Sequence, residues 1–354
     1  MTVDQIKARR RTAQMGATLV YYDGPQVLTL KGQRDRFWMC VAINAEEEAA
    51  GFGYPIFCTQ ITKDELERYI RGHVDLRFLF LYSKVQDYRI ADLSKPNKNG
   101  IYLSAKASPP SDWFPDEGFF SRNHTEEVNL FDEEATPQKY FEVGIDGEWD
   151  VPDFGAFSER MKECYSFLYA IDALSSPGIN LTRRKRFMDA FENYPWRGGG
   201  SPLNFYNDLY DRVPANDRLG VETIRYASPG HIEIRGSAAI FDDLSSILRT
   251  FTQNYGLAGQ RYRELRQYLH SQKLLSSSKD TVRGTSDQQA AIVRYLDDLG
   301  PAIGFENMEQ VLAYSQGNWV LCAKIVLSFF RRLNKLFQFY AEGRASLPSS
   351  DPPT

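Results

Sequence analysis

Apolar and polar positions recur with two different periods along the chain, and the change of period divides it. From residue 16 to 110 the period is close to two. Residues 18–22, 26–30, 36–43 and 54–59 are short β-branched and aromatic runs bounded by Gly, Pro and Asp, which predicts strands. Asp23-Gly24 is a two-residue turn signal, so residues 18–30 read as a hairpin. Thr62-Lys63-Asp64-Glu65 has the form of a capping box and opens a helix to about Ile70, with Leu66, Tyr69 and Ile70 at helical spacing. Residues 74–81 continue as helix or turn. Residues 87–93 and 100–104 then read as closing strands around an Asn/Gly turn.

Beyond Asp153 the period lengthens to that of a helix. Asp153 caps a helix carrying Phe157, Met161, Cys164, Tyr165, Leu168 and Ile171 on one stripe, and Pro177-Gly178 ends it. Residues 182–193 form a second helix, Gly198-Gly199-Gly200 breaks the chain, and Ser201-Pro202 starts a third. Residues 220–226 and 231–235 alternate as a half-buried hairpin turning at Pro229-Gly230. A helix with Ile240, Leu244, Ile247, Leu248 and Phe251 on its buried face follows. Further helices are predicted over 262–275, from Ser286 with Gln289 to Gly300-Pro301, over 306–314 and over 318–340. Apolar residues cover well over half the circumference of the last one. Such a helix is buried in its own domain or against a second copy, so a homodimer through the C-terminal helices is an expectation. Together these elements predict an α+β protein: a small β-rich domain over residues 1–110, a connection over 111–153, a mainly helical α+β domain with a β-hairpin over 154–344, and a disordered tail over 345–354.

Composition narrows the class. The 354 residues are 42% hydrophobic and 14% aromatic, enough for real cores and far from disordered or collagen-like chains. No apolar run reaches the ~18–20 residues of a membrane span, and the basic start MTVDQIKARRRTAQ lacks the apolar stretch of a signal peptide, so a cytoplasmic protein is expected. The net charge of −4 hides a block structure: residues 1–110 carry +4, residues 154–354 carry +3, and residues 111–153 carry −11. The acidic block reads as a solvated connection held to its neighbours by Trp113, Phe119, Phe120, Phe131, Phe141 and Trp149. It lacks the spacing of an EF-hand loop.

Candidate chemistry is sparse. Cys40, Cys58, Cys164 and Cys322 are scattered among apolar residues and read as buried free thiols; the four histidines lie far apart, so neither a metal nor a cofactor is expected. No nucleophile-elbow, kinase or dinucleotide signature occurs. His231, beside Ser228 and Glu233, is the one cluster of mixed titratable groups, and a solvent-facing strand position explains it. Arg183, Arg184, Lys185 and Arg186 open the second helix of the later domain, and Arg261, Arg263 and Arg266 recur on another. Both could meet phosphates, and both also fit solvated helix faces.

The opening TLVYYDGPQVLTLKGQRDRFWMCVAI, followed by a capped helix and HVDLRFLFLYSKVQDYRIADL, resembles the N-terminal module of an uncharacterised bacterial family. There a YYDGP hairpin leads into a strand ending in Cys-Val, and a DLR segment precedes the last strands. RYASPGHIEIRGSAAIFDDLSSIL is similar to a hairpin-then-helix unit of other uncharacterised bacterial proteins, some encoded near conflict or regulatory systems. The resemblance implies a bacterial cytoplasmic protein and carries no activity. Tyr21, Tyr22 and Asp23 are then a candidate recognition edge, against the plainer reading of packed tyrosines and a turn aspartate. The function expected is a non-enzymatic interaction or regulatory protein binding a protein partner, within a defence or toxin-related system. Nucleic-acid binding through the basic helices is the alternative, and an enzyme with a site assembled from distant residues the third.

Overall fold

The computed structural model describes residues 11–32, 36–44, 51–96, 98, 100–104, 109–121, 138–175, 181–193, 204–276 and 283–347. The chain divides into two units, Met1–Asp132 and Glu133–Thr354, and the division falls inside the acidic block. The fold class is α+β: a β-rich unit followed by a mostly helical one with a second, small sheet.

In the first unit, strands β1 (Arg11–Tyr21), β2 (Pro25–Lys31), β3 (Phe37–Ala42), β4 (Pro55–Ile61), β5 (Tyr88–Asp92) and β6 (Ile101–Leu103) form one antiparallel sheet in the order β5-β4-β3-β2-β1-β6. The sheet curls until its two edges meet. Ser104 N donates to Ile90 O at 2.9 Å, Ile90 N donates to Ser104 Oγ at 2.9 Å, and Arg89 Nη1 reaches Ser104 O at 2.9 Å. The result is a small barrel. Closure explains why β2, β3 and β4 read as nearly continuous apolar runs, because both faces of each strand are covered. Leu28, Leu30, Trp38, Cys40, Ile56 and Cys58 fill the interior. Val27, Met39, Val41 and Phe57 point outward under the short helices α1 (Lys63–Ile70) and α2 (Leu76–Tyr82). The capping box of α1 is present, with Thr62 Oγ1 accepting from Glu65 N and the Glu65 carboxylate accepting from Thr62 N. Residues 74–81 resolve into α2, capped by Asp75.

The acidic block is not a connection along its described length. Residues 109–121 close over the barrel: Trp113 is buried against Phe57, Gly118 N donates to Asp75 Oδ2 at 3.0 Å, and Ser121 Oγ donates to Ile70 O at 2.7 Å. Residues 138–145 form β7 (Gln138–Ile145), whose Phe141, Val143 and Ile145 enter the core of the second unit, as does Trp149. Of the expected aromatic anchors, Phe119 packs on the first core, Phe120 is exposed, and Phe131 lies outside the described residues.

The second unit pairs β7 with β9 (Gly230–Ser237), β9 with β8 (Gly220–Arg225), and β7 with β10 (Ala345–Ser346), giving the order β10-β7-β9-β8. The segment expected to be a disordered tail therefore begins with a strand. Helices α3 (Val151–Ser175), α4 (Leu181–Asn193), α5 (Phe205–Arg212), α6 (Ala238–Gln253), α7 (Tyr255–Ser271), α8 (Ser286–Ile303), α9 (Met308–Tyr314) and α10 (Trp319–Ala341) supply the rest. Several boundaries move by physics the pattern hides. Asp150 starts α3 in a reciprocal pair with Asp153, each carboxylate accepting the other's amide. Thr285 and Gln288 form the capping box of α8, and that helix continues through Pro301 to a left-handed Gly304. α7 begins at Tyr255 rather than 262. Ser201-Pro202 lies outside the described residues, and α5 begins at Phe205.

Helix α10 is buried nearly all round by its own unit, with Phe167 stacked on Phe329 at 4.5 Å and Tyr262 on Phe330 at 4.3 Å. Its apolar circumference is covered without a second copy, which removes the reason for a dimer through the C-terminal helices. The 220–237 hairpin is half-buried only in β9; β8 is exposed along its length except at Gly220.

Candidate functional site

One end of the barrel gathers the β1–β2 turn, the approach to β4, the exit of β5 and the start of β6. A cavity of about 480 Å³ opens there, lined by Met15, Pro25, Gly53, Tyr54, Leu93, Ser94, Pro96, Gly100 and Ile101. Its size falls within the range of small-molecule and side-chain pockets, and mouths of barrels are a preferred place for them. Ile101 belongs to the barrel core, and Tyr54 and Leu93 pack against it, so the pocket floor is apolar.

The walls are held by their own hydrogen bonds. Tyr54 Oη donates to Pro25 O at 3.1 Å and accepts from Gln26 Nε2 at 3.3 Å, which ties the β1–β2 turn to β4. Gly24 (φ 127°) passes so close that a Cβ there would meet Tyr54 Oη at 2.5 Å. Burial, then the Asp23 carboxylate and Tyr21, push the Tyr54 hydroxyl up, so it stays a neutral donor. Asp92 Oδ1 accepts from Tyr54 N at 2.9 Å and from Ser94 N at 3.0 Å, Ser94 Oγ donates to Oδ1 at 2.7 Å, and Gly53 N donates to Oδ2 at 3.1 Å. Burial alone would raise this carboxyl; the hydroxyl and the three backbone amides outweigh it and hold Asp92 well below the usual aspartate range.

A folded-state value below the unfolded one means that Asp92 contributes stability above about pH 4, and that this is lost as pH falls through the depressed value. Asp92→Asn is expected to lower the stability of the first unit by about 1–2 kcal/mol at neutral pH. It should also flatten the fall in stability of that unit between about pH 4 and pH 2 in urea titrations. A variant whose acid limb matches the wild type would remove Asp92 from this role.

Around the pocket stand exposed aromatic side chains. Tyr21 is 74% and Tyr22 80% exposed at the hairpin turn, where Asp23 takes a left-handed φ of 49°; Met15, which lines the cavity, and Phe52, which precedes the lining Gly53, are exposed as well. The turn reading of Asp23 holds, while the tyrosines are presented rather than packed. No local motif marks Met15, Tyr54 or Asp92; the Gly51-Phe52-Gly53 loop and the Asp92-Leu93-Ser94-Lys95-Pro96 turn mark the place of the last two once the barrel closes.

The basic candidates fall on separate helices. Arg184, Lys185 and Arg186 are exposed on α4, with no ion pair among the described residues, and the Arg183 side chain lies outside the described residues. On α7, Arg263 and Arg266 are exposed, whereas Arg261 is answered by Glu264 at 2.9 Å and Asp298 at 3.5 Å. α4 packs on α3, α5 and α9, and α7 packs on α6, α8 and α10, so the two basic runs do not share a packing neighbour. His231 is half-buried on β9 between Gly144 and Arg225.

The cysteines are free and buried; burial pushes the thiols of Cys40, Cys164 and Cys322 up, away from thiolate chemistry. Among the described residues no group of three or more His, Cys, Asp or Glu side chains could hold a metal ion, and no helix is long and apolar enough to cross a membrane. The polar groups of the barrel mouth are already matched to one another, which leaves an apolar, preorganised recess suited to binding. No family model, curated protein or solved structure matches the chain.

Proposed function

We propose that this is a non-enzymatic bacterial interaction protein of the cytoplasm, and that the barrel mouth receives an apolar side chain of a protein partner. The observation that carries the reading is the 480 Å³ recess with exposed Tyr21 and Tyr22 on the turn beside it. Tyrosine and methionine around an apolar pocket is the composition of an interface hot spot, where large rings contribute area at little entropic cost. A regulatory role in a defence or toxin-related system is the setting that the resemblance of the two modules supports.

The test compares capture of a stoichiometric partner from a bacterial extract by the wild type, by Met15→Trp and by Arg184→Glu/Arg263→Glu. Met15 is half exposed and lines the cavity, so tryptophan fills the recess without entering the barrel core. Capture is expected to drop at least about tenfold with Met15→Trp and to survive the charge reversal. Capture indifferent to Met15→Trp would remove the mouth as the site. If the bound material absorbs at 260 nm and is lost on charge reversal, nucleic-acid binding through the basic helices takes the place of this reading.

A further inference from the structure

We infer that Cys40 and Cys58 are an oxidative modification site: exposed to a small peroxide, they close to a disulfide that joins β3 to β4 inside the barrel. The two residues are register partners in an antiparallel pair that runs without a bulge from Phe37 opposite Ile61 to Ala42 opposite Ile56. Both are fully buried in the interior cluster with Leu28, Leu30, Trp38 and Ile56, so both side chains leave the sheet on the same face.

The hydrogen bonds of the sheet fix how closely they face. Opposite residues in an antiparallel pair alternate between those that exchange backbone hydrogen bonds and those that do not. Ile43 N donates to Pro55 O at 3.2 Å, which makes that pair a bonded one, and counting back along the register makes Cys40 and Cys58 a non-bonded one. The outer neighbours agree. Gln60 N donates to Asp87 O at 3.1 Å, so Cys58, two residues earlier, also turns its backbone towards β5. Gly32 N donates to Arg36 O at 2.8 Å, and by the same alternation Cys40 turns its backbone towards β2. Non-bonded partners lie closest, at about 4.5 Å between Cα atoms, inside the ~4.4–6.8 Å that a disulfide spans. The contact is felt at the thiols: burial first, and then the facing Cys58, push the Cys40 thiol up.

The recess at the barrel mouth ends on Ile101, a member of the same interior cluster, with Tyr54 and Leu93 packed against it. Hydrogen peroxide is scarcely larger than water and is the oxidant that suits such a position. One sulfur takes an oxygen as the O–O bond breaks, giving a sulfenic acid and one water. The facing sulfur then bonds to that sulfur and displaces the oxygen as a second water. Both thiol hydrogens end in water, and two electrons pass from sulfur to peroxide. A partner already in contact makes the second step intramolecular and sets it ahead of further oxidation. In the reducing compartment proposed above the pair is open at rest, and thiols reopen it. The other two cysteines lack this arrangement. Cys164 lies by Arg332 and Tyr340 of α10, whereas Cys322 lies by Ser315, about 15 Å away along the same helix. Neither Cys40 nor Cys58 lines the recess, and the test does not depend on what the mouth receives.

The full chain, folded at neutral pH, is treated with hydrogen peroxide, quenched with catalase, alkylated with N-ethylmaleimide in urea and digested for mass spectrometry. A linked peptide pair holding Cys40 and Cys58 is expected, lighter than the two thiol peptides together by the mass of two hydrogens and split by dithiothreitol. Cys164 and Cys322 should be alkylated in full. The reaction should quicken as pH rises, because the Cys40 thiol is held up. The linked protein should unfold at a higher urea concentration than the reduced one, since the bond restrains the unfolded chain. Cys58→Ser should abolish the link and leave Cys40 to carry oxygen or N-ethylmaleimide. Cys40 and Cys58 both alkylated after peroxide, or joined to Cys164, Cys322 or another chain instead of to each other, overturns the inference. So does a link that forms only in urea, because the folded strands would then not present the pair.

Discussion

Replacing Phe57 by alanine is expected to destabilise the first unit by about 4 kcal/mol, a large share of the stability of a small domain. Phe57 lies on the outer face of β4 and is fully buried, with Phe80, Tyr88, Trp113 and Phe114 at ring-centre distances of 5.1, 5.5, 5.6 and 5.6 Å. These neighbours come from α2, β5 and the acidic segment over 109–121, so one ring joins three parts of the unit. Its removal leaves a cavity that four rigid aromatic rings cannot collapse into without breaking their own contacts. A urea melt followed by tryptophan fluorescence reads the loss. Limited proteolysis should also cut the variant within residues 109–121 under conditions where the wild type resists. A variant with an unchanged midpoint would show that these rings do not act as one cluster.

The second large effect concerns charge inside the helical unit. Glu163 on α3 and Arg332 on α10 have side chains only 9% and 14% exposed, with Arg332 Nε 3.2 Å from Glu163 Oε1. Arg160 closes on the other carboxylate oxygen. Arg332 Nη1 donates to Ser328 Oγ at 2.9 Å, and the guanidinium sits 3.6 Å from the ring centre of Tyr206. Burial lifts the Tyr206 hydroxyl to about 12, so the ring stays neutral beneath the cation. Arg332→Ala removes the cation and its stacking while leaving Glu163 enclosed, which is expected to cost about 3 kcal/mol. The figure lies at the low end of the usual range because Arg160 remains. The double variant Glu163→Gln/Arg332→Met should recover most of that loss, since the penalty comes from an unmatched buried charge rather than from lost attraction. If the double variant melts no higher in urea than Arg332→Ala, the cost belongs to packing against Tyr206 and not to charge.

Most elements of this fold are legible in the residues, for identifiable reasons. The α1 capping box, the Asp23-Gly24 turn and the stripe of α3 are local signals that the tertiary structure reinforces. Strand β7 is masked in the sequence because its alternation, Tyr140, Glu142 and Gly144 against Phe141, Val143 and Ile145, lies in a block whose acidic charge outweighs it in composition. Burial of one face is what overrides the charge, and that is a tertiary event. Closure of the barrel was equally hidden. It rests on Ser104 meeting Ile90, and nothing in either residue announces the other. The pocket is hidden with it, since Met15, Tyr54 and Ser94 are far apart in the chain until the edges meet. The Tyr21-Tyr22-Asp23 turn, by contrast, is a local feature that the eye finds in the chain and the structure sets beside the recess.

Strand β10 brings a consequence for the order in which the chain is made. Ala345 pairs with Ile145 and Ser346 with Gly144, and the Arg344 guanidinium closes on Asp153 and lies 5.0 Å from the Trp149 ring centre. Strand β7 emerges from the ribosome early in the second unit, yet one of its edges waits some two hundred residues for its neighbour. The barrel needs no such delay: five of its strands pair in sequence and the sixth follows within the same unit. Local pairing is fast and distant pairing slow, so the barrel should be complete, with its mouth formed, while the helical unit is still being synthesised.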